Sequence, residues 1–411
     1  MASLQCCTAR QVSCPLGLVR RIVMPALFGL ACSDAASPFE ALPREDPQTD
    51  GSQPADEPAH HTKNCKDDCV PTSIVTTADH VCAIVQGAVA CWGWNMYGQL
   101  GDGSKTDSSV PVRVAGLDSG VTAVAAGTNN SCAVVNGAVR CWGLSLGDVS
   151  ETLSTPSLIV GLPQGVSRIA VGTAHACALA KGDVYCWGRG DYGELGNAAT
   201  EWSSKPVKVE GLNAVSAIGV GHLHSCALQQ GLVYCWGWNE DGQLGNGSYI
   251  NSAVPVLVDT LPSQVTEIAT GQQVSCALAA GTVYCWGWNG NGNLGNDEVR
   301  GSALPLAVEG LPGGVESIAT GQLHTCAIVQ GEVWCWGRNM QGQLGNDSTE
   351  QSARPVKVYD LPHDVLEVQA GVAHTCARRP DAVQCWGWNG KGQLGDASTR
   401  DSLTPAQAVA F

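Results

Sequence analysis

The sequence predicts an all-β chain: a seven-bladed β-propeller of four-stranded blades, preceded by a signal segment and a disordered linker. Two observations carry this. The triplet Cys-Trp-Gly recurs at residues 91, 141, 186, 235, 285, 335 and 385, at intervals of 50, 45, 49, 50, 50 and 50 residues, and self-similarity at such a period marks a repeat architecture. Each unit also holds four short apolar pieces separated by Gly, Pro, Asn or Asp, as in VESIATG, HTCAI, EVWCWG and RPVKV between residues 315 and 358. That is strand-and-turn patterning without a helical period. Seven such units suit a ring, which leaves only short, protected strand edges. A β-sandwich would not repeat at this period, and a parallel β-helix repeats at about half of it or less.

Taken in order, residues 1–32 read as an export segment. Arg20 and Arg21 precede the apolar run IVMPALFGLA (22–31), which is followed by Cys32. A basic flank, a short apolar run and small residues form a secretory signal, whereas a membrane-spanning helix needs about 20 apolar residues. The ending FGLAC is similar to a bacterial lipoprotein signal, so Cys32 is the expected lipidation site and its lipid the expected membrane anchor. Gly29 stands where such signals carry leucine; cleavage after Ala35 or Ala36, releasing a secreted product, is the alternative. A buried apolar segment of the fold is the competing reading, and no repeat unit covers it. Residues 33–69 form an acidic, Pro-rich linker, as in EALPREDPQTDGSQPADEPAHH. Such a composition cannot bury enough apolar surface to offset the cost of ordering. Residues 70–411 hold the seven repeats. The chain enters at the first strand of a unit, near 71–75, and ends after the last, near 405–410.

Composition narrows the function. Glycine is abundant (50) and phenylalanine scarce (3), which suits short strands and many turns. Only 14% of residues are charged and the net charge is −15. Without a Lys/Arg cluster such a chain is a poor holder of phosphate backbones, so nucleic acid is disfavoured and no nucleic-acid partner is expected.

The repeat unit GHLHSCALQQGLVYCWGWNEDGQLG (221–245), seen again as GQLHTCAIVQGEVWCWGRNMQGQLG (321–345), resembles that of the regulator of chromosome condensation family. The resemblance covers residues 70–411 and implies a seven-bladed propeller. It implies no single activity, because relatives include an exchange factor for a small GTPase, ubiquitin ligase subunits, a plant photoreceptor and a secreted inhibitor of β-lactamases. The paired cysteines resemble a variant found in exported bacterial members. Repeat two reads CWGLSLGDVSE and lacks Gly-Gln-Leu-Gly; Asn130 and Val274 replace the repeat's histidine; Arg378 and Arg379 stand in the last hairpin turn. Only scaffold positions match, so no catalytic or GTPase-contacting residue carries over.

Seven cysteine pairs share one spacing: Cys82–Cys91, Cys132–Cys141, Cys177–Cys186, Cys226–Cys235, Cys276–Cys285, Cys326–Cys335 and Cys376–Cys385. A two-residue hairpin turn at Gln330-Gly331 would set Cys326 directly opposite Cys335 in a non-hydrogen-bonded pair, within reach of a disulfide. A three-residue turn would misalign them. Structural disulfides are the preferred reading in an exported chain. Buried free thiols are the alternative, and zinc is disfavoured because the pairs are isolated and too widely spaced. Cys65–Cys69 in NCKDDC is expected to form an eighth bridge.

His80, His175, His224, His324 and His374 all lie two residues before a cysteine, and recurrence favours packing or bonding to a neighbouring blade over catalysis. The same holds for the Cys-Trp-Gly tryptophans. Trp94, Trp238, Trp288 and Trp388 are expected to cover loops, and Asp102 and Asp107 to serve turns and not calcium. No catalytic constellation, cofactor motif or metal site emerges. The expectation is a monomeric, non-enzymatic, extracytoplasmic protein-binding scaffold using variable loops at 102–110, 197–205, 246–253, 296–303, 346–353 and 396–403, with the short repeat two (144–157) as a further contact site. A secreted enzyme inhibitor is the alternative; a GTPase exchange factor or chromatin binder is disfavoured.

Overall fold

Seven antiparallel sheets, each of four consecutive strands, make up the computed structural model, which describes residues 70–146, 150–297 and 300–408. Cys32, the linker and the Cys65–Cys69 pair lie outside the described residues. The blades span residues 73–113, 121–158, 166–208, 215–257, 265–307, 315–357 and 367–407. No blade borrows a strand from another. The first strands of neighbouring blades meet around the axis, and the ring closes where the first strand of blade seven (Glu367–Ala370) meets that of blade one (Ser73–Thr76).

The central hairpins follow the expected register. Gln330 and Gly331 both have positive φ (51° and 75°), the two-residue turn whose twist matches paired strands. Cys326 therefore faces Cys335, and the same pairing recurs in all seven blades. Each pair is bonded, with Cα atoms 4.0–4.1 Å apart. The last blade keeps this register by another route. Its strands stop at Arg378 and resume at Val383, and the wider turn is held by Arg378 on Glu367 and Arg379 on Asp364.

Two boundaries differ from expectation. The fourth strands begin at Ser108, Ser203, Ser252, Ser302, Ser352 and Ser402, so the expected loops end a few residues early, and the last strand starts well before residue 405. A bulge after each third-strand cysteine is the reason: in blade one Cys91 pairs with Val112, but Gly93 already pairs with Ser108. Every fourth strand carries a proline (Pro111, Pro156, Pro206, Pro255, Pro305, Pro355, Pro405). Proline cannot donate to a ladder, so it belongs on the edge strand and guards the rim against pairing with another chain.

The cores lie between blades. The disulfide of one blade packs with the Cys-Trp-Gly tryptophan of the next, as Cys82 and Cys91 do with Trp142, and Cys326 and Cys335 with Trp386.

Candidate functional site

A recurrent polar clamp joins the blades and sets the frame against which any special site stands out. Between blades six and seven, the carbonyl of Gln343 accepts bonds from the Trp386 indole N–H (3.0 Å) and the Thr375 hydroxyl (2.8 Å), both of blade seven. The Thr375 oxygen lies 2.7 Å from Nε2 of His324, in blade six. Because the hydroxyl's only proton goes to the carbonyl, it must accept from His324, so the ring is protonated on Nε2. The same set joins His80, Gln99 O, Ser131 and Trp142; His175, Glu194 O, Ser225 and Trp236; and His224, Gln243 O, Ser275 and Trp286. The five recurrent histidines thus bond to neighbouring blades, as their recurrence indicates. Burial holds them far below the ordinary imidazole range, His80 at about 4 and the other four at about 3. Their Nδ1 atoms are buried without a partner.

Glycines make room for this clamp. A Cβ on Gly321 would lie 2.2 Å from the Gly371 carbonyl oxygen of the next blade, and one on Gly221 would lie 2.4 Å from Cε1 of His224. Backbones at these positions close around the axis with no room for a Cβ; blade one carries Thr77 at the matching position.

The clamp's histidine end opens on the face bearing the long loops between third and fourth strands. Asn339 braces such a loop: Oδ1 accepts from Leu344 N, and Nδ2 donates to Ser348 O and Glu350 O. Asp107 accepts from Asn95 N and Asp102 from Ser104 N, so both serve their loop. Trp94 meets Tyr97 edge-on, and Trp288 lies over Gly290; these extra tryptophans cover their loops. On these braced bases, Met96 (60% exposed), Trp202 (44%), Tyr249 (57%), Ile250 (77%) and Met340 (64%) face solvent. The loop ranges included most of these positions, but a single large apolar residue in a polar loop does not announce from sequence whether it turns outward.

Two cavities occur. The axial one, of about 150 Å3, is lined by uncharged groups including Thr77, Thr128, Thr173, His222, Gln272 and Gln322. His222 Nδ1 lies 2.8 Å from the Thr173 hydroxyl, which lies 2.9 Å from that of Thr128. Burial and then the Arg189 charge hold His222 below its usual range. No carboxylate orients this chain of groups. The second cavity, of about 500 Å3, lies between blades two and three. The short repeat two keeps more of the family loop than its sequence suggests. Leu146 is 8% exposed and packs with Trp187, as the loop leucines do elsewhere, so only the turn before it is missing.

Fold and site define a rigid propeller that presents braced, partly apolar loops on one face. The model of the RCC1-like domain family matches residues 39–305 and 144–410. The chain belongs to that family. Among solved structures, human WBSCR16 is 24% identical (TM-score 0.69, covering 78% of this chain and 94% of that one). Prp20p of Saccharomyces cerevisiae, described with its binding to Gsp1p and histones, is 22% identical (0.69; 84% and 88%). Yeast RCC1 (Prp20) bound to Kap60 is 21% identical (0.70; 88% and 91%). These likenesses concern the fold. No curated protein matches the chain.

Proposed function

We propose that the chain is an extracytoplasmic protein-binding scaffold, and that the loop face carries the contact. One observation supports this above others: Trp202, Tyr249 and Ile250 stand exposed on the loops of blades three and four, while the loop bases are fixed by buried side chains such as Asn239. Large, exposed apolar side chains on a preorganised surface are the usual anchors of protein interfaces. Seven disulfides suit an oxidising compartment. They also weigh against a nuclear exchange factor, although the yeast propellers' protein partners fit the broader idea of a protein binder. In this reading an export signal or a lipid on Cys32 delivers the propeller, and it works as a monomer.

The test is cross-linking in the cell envelope with a photoreactive residue at position 250, beside the variants Trp202→Asp and Tyr249→Asp in the full chain. A discrete cross-linked protein, lost in both variants, is the expected result. Cross-links indifferent to both substitutions, or free thiols in the isolated protein, would overturn the proposal.

A further inference from the structure

Six blades lay the same turn over the next blade, and blade two alone does not. The turn's glycine sits against the second residue of the neighbour's outer strand. A Cβ on Gly98, Gly193, Gly242, Gly292 or Gly392 would fall 2.4–2.7 Å from the Cα of Ser154, Ala253, Ala303, Ala353 or Ser109 respectively. Gly342 meets Leu403 in the same way. The carbonyl after that glycine then accepts the neighbour's indole N–H, in six interfaces out of six.

In blade three, two groups are left over. Ser204, the counterpart of those six strand residues, is exposed, whereas five of the others are half-buried and Ala303 is buried. The indole N–H of Trp187 has no acceptor among the described residues, although Trp187 is only 2% exposed and lines the cavity. Ala176 stands where five of the other six blades carry the clamp hydroxyl, so the missing carbonyl leaves one orphaned donor and not two. Leu144, Leu153 and Ile159 form the apolar wall, Glu151 stands at the edge, and no Lys or Arg is among the described residues that line the space.

We propose that this cavity is the docking site for a glycine-bearing turn of a partner protein, which completes the interface as six turns of this chain complete theirs. The inference rests on the reading of the chain as a protein-binding scaffold and adds the chemistry of one contact. The turn is uncharged and narrow, places glycine against Ser204, and directs a backbone carbonyl at Trp187 Nε1. Glu151 favours a basic over an acidic residue beside it. Burying a donor without a partner is costly, so a carbonyl supplied from outside is selected over an apolar group of equal size.

The probe is a cyclic peptide carrying Asn-Met-Gln-Gly-Gln-Leu-Gly, the sequence of residues 339–345, added to the full chain. Binding is expected to shift one indole 15N–H resonance, assigned to Trp187 by its absence in Trp187→Phe. Ser204→Tyr fills the cavity mouth from an exposed position and should weaken binding at least tenfold. A peptide with valine in place of its first glycine should not bind. A second variant, with Asn-Met-Gln-Gly-Gln inserted before Leu146 in place of Ser145, should fill the cavity from within, raise the thermal midpoint and abolish binding. No Trp187 shift, equal binding to Ser204→Tyr, or equal binding of a simple amide such as N-methylacetamide would overturn the inference. If envelope cross-linking at position 250 survives Ser204→Tyr but is lost in Trp202→Asp, the pocket inference falls and the scaffold reading stands. If neither variant changes it, both fall.

Discussion

Acid should loosen the ring through the five clamp histidines. Each is fully buried, neutral, and protonated on Nε2, so a second proton would have to sit on an Nδ1 with no acceptor. Their folded-state values lie at about 3 or 4 against 6.5 for the free side chain. Histidines with depressed values stabilise the fold fully above pH 6.5, and the unfolded chain takes up protons first as pH falls. Between pH 8 and 5.5 the loss is set by the unfolded value alone, about 1.4 kcal/mol per histidine and about 7 kcal/mol for five. That equals much of a typical domain's stability of roughly 5–15 kcal/mol. Asp79 works the other way: burial raises its carboxyl to about 6, which offsets at most about 0.8 kcal/mol over the same interval. Guanidinium unfolding at pH 8 and 5.5, with disulfides intact, measures the difference. His324→Asn, which copies the residue at position 130, should lose stability at both pH values but remove about one fifth of the pH dependence. In a histidine ring titration by NMR, five of the nine residues should stay unchanged from pH 8 to 5. A clamp histidine titrating near 6.5, or an unchanged slope in His324→Asn, would refute the reasoning.

Other consequences are simpler to state. Reduction should add two hydrogens per bridge, about fourteen for the seven described; intact mass decides, and thiols alkylated without reductant would contradict it. Asp79→Asn should stabilise the protein above pH 6 by up to about 3 kcal/mol and do little near pH 4, because burial disfavours its charged form only where it is ionised. Gly321→Ala should cost about 2–4 kcal/mol, since its Cβ would meet the Gly371 carbonyl at 2.2 Å. Thr77→Gly, at the matching position of blade one, should cost far less, since it loses only a bond to Gly127 O.

The ring was legible in the sequence because its determinants are local and repeated. A hairpin turn with two residues of positive φ needs only Gln-Gly or Asn-Gly, and the turn sets each cysteine opposite its partner. Proline in the fourth strand announces an edge before any coordinates exist. The role of the histidines was legible in kind, as packing, but not in detail. Their partners Ser131 and Thr375 lie 51 residues away, and only ring closure brings them together. The gap between blades two and three was half legible. The shortened loop is plain, but the sequence alone does not show that Leu146 returns to the leucine position, leaving a hole the size of one turn. Nor does it pair Asn130 with Ala176 across an interface. Exposure of Ile250 is likewise a property of the assembled surface.

Departures from the clamp differ in kind. Between blades five and six the histidine is replaced by Val274, yet Thr325 still donates to Asn293 O, which also takes the Trp336 N–H. Between blades seven and one the hydroxyl is replaced by Val81, but His374 bonds to Thr76 and Trp92 to Gln393 O. Glu367 adds bonds to Ser73 and to Ile74 N across that closure. Both losses are made good within the chain. Between blades two and three the histidine, the hydroxyl and the carbonyl are absent together. Asn130 turns back to Leu144 O of its own blade, and Trp187 keeps its proton for no described acceptor. A ring under selection for stability alone would fill a void of about 500 Å3 or bond the indole, as it does at the other six joints. Six bonded joints, four intact and two altered, beside one left open support the proposed docking of an outside turn.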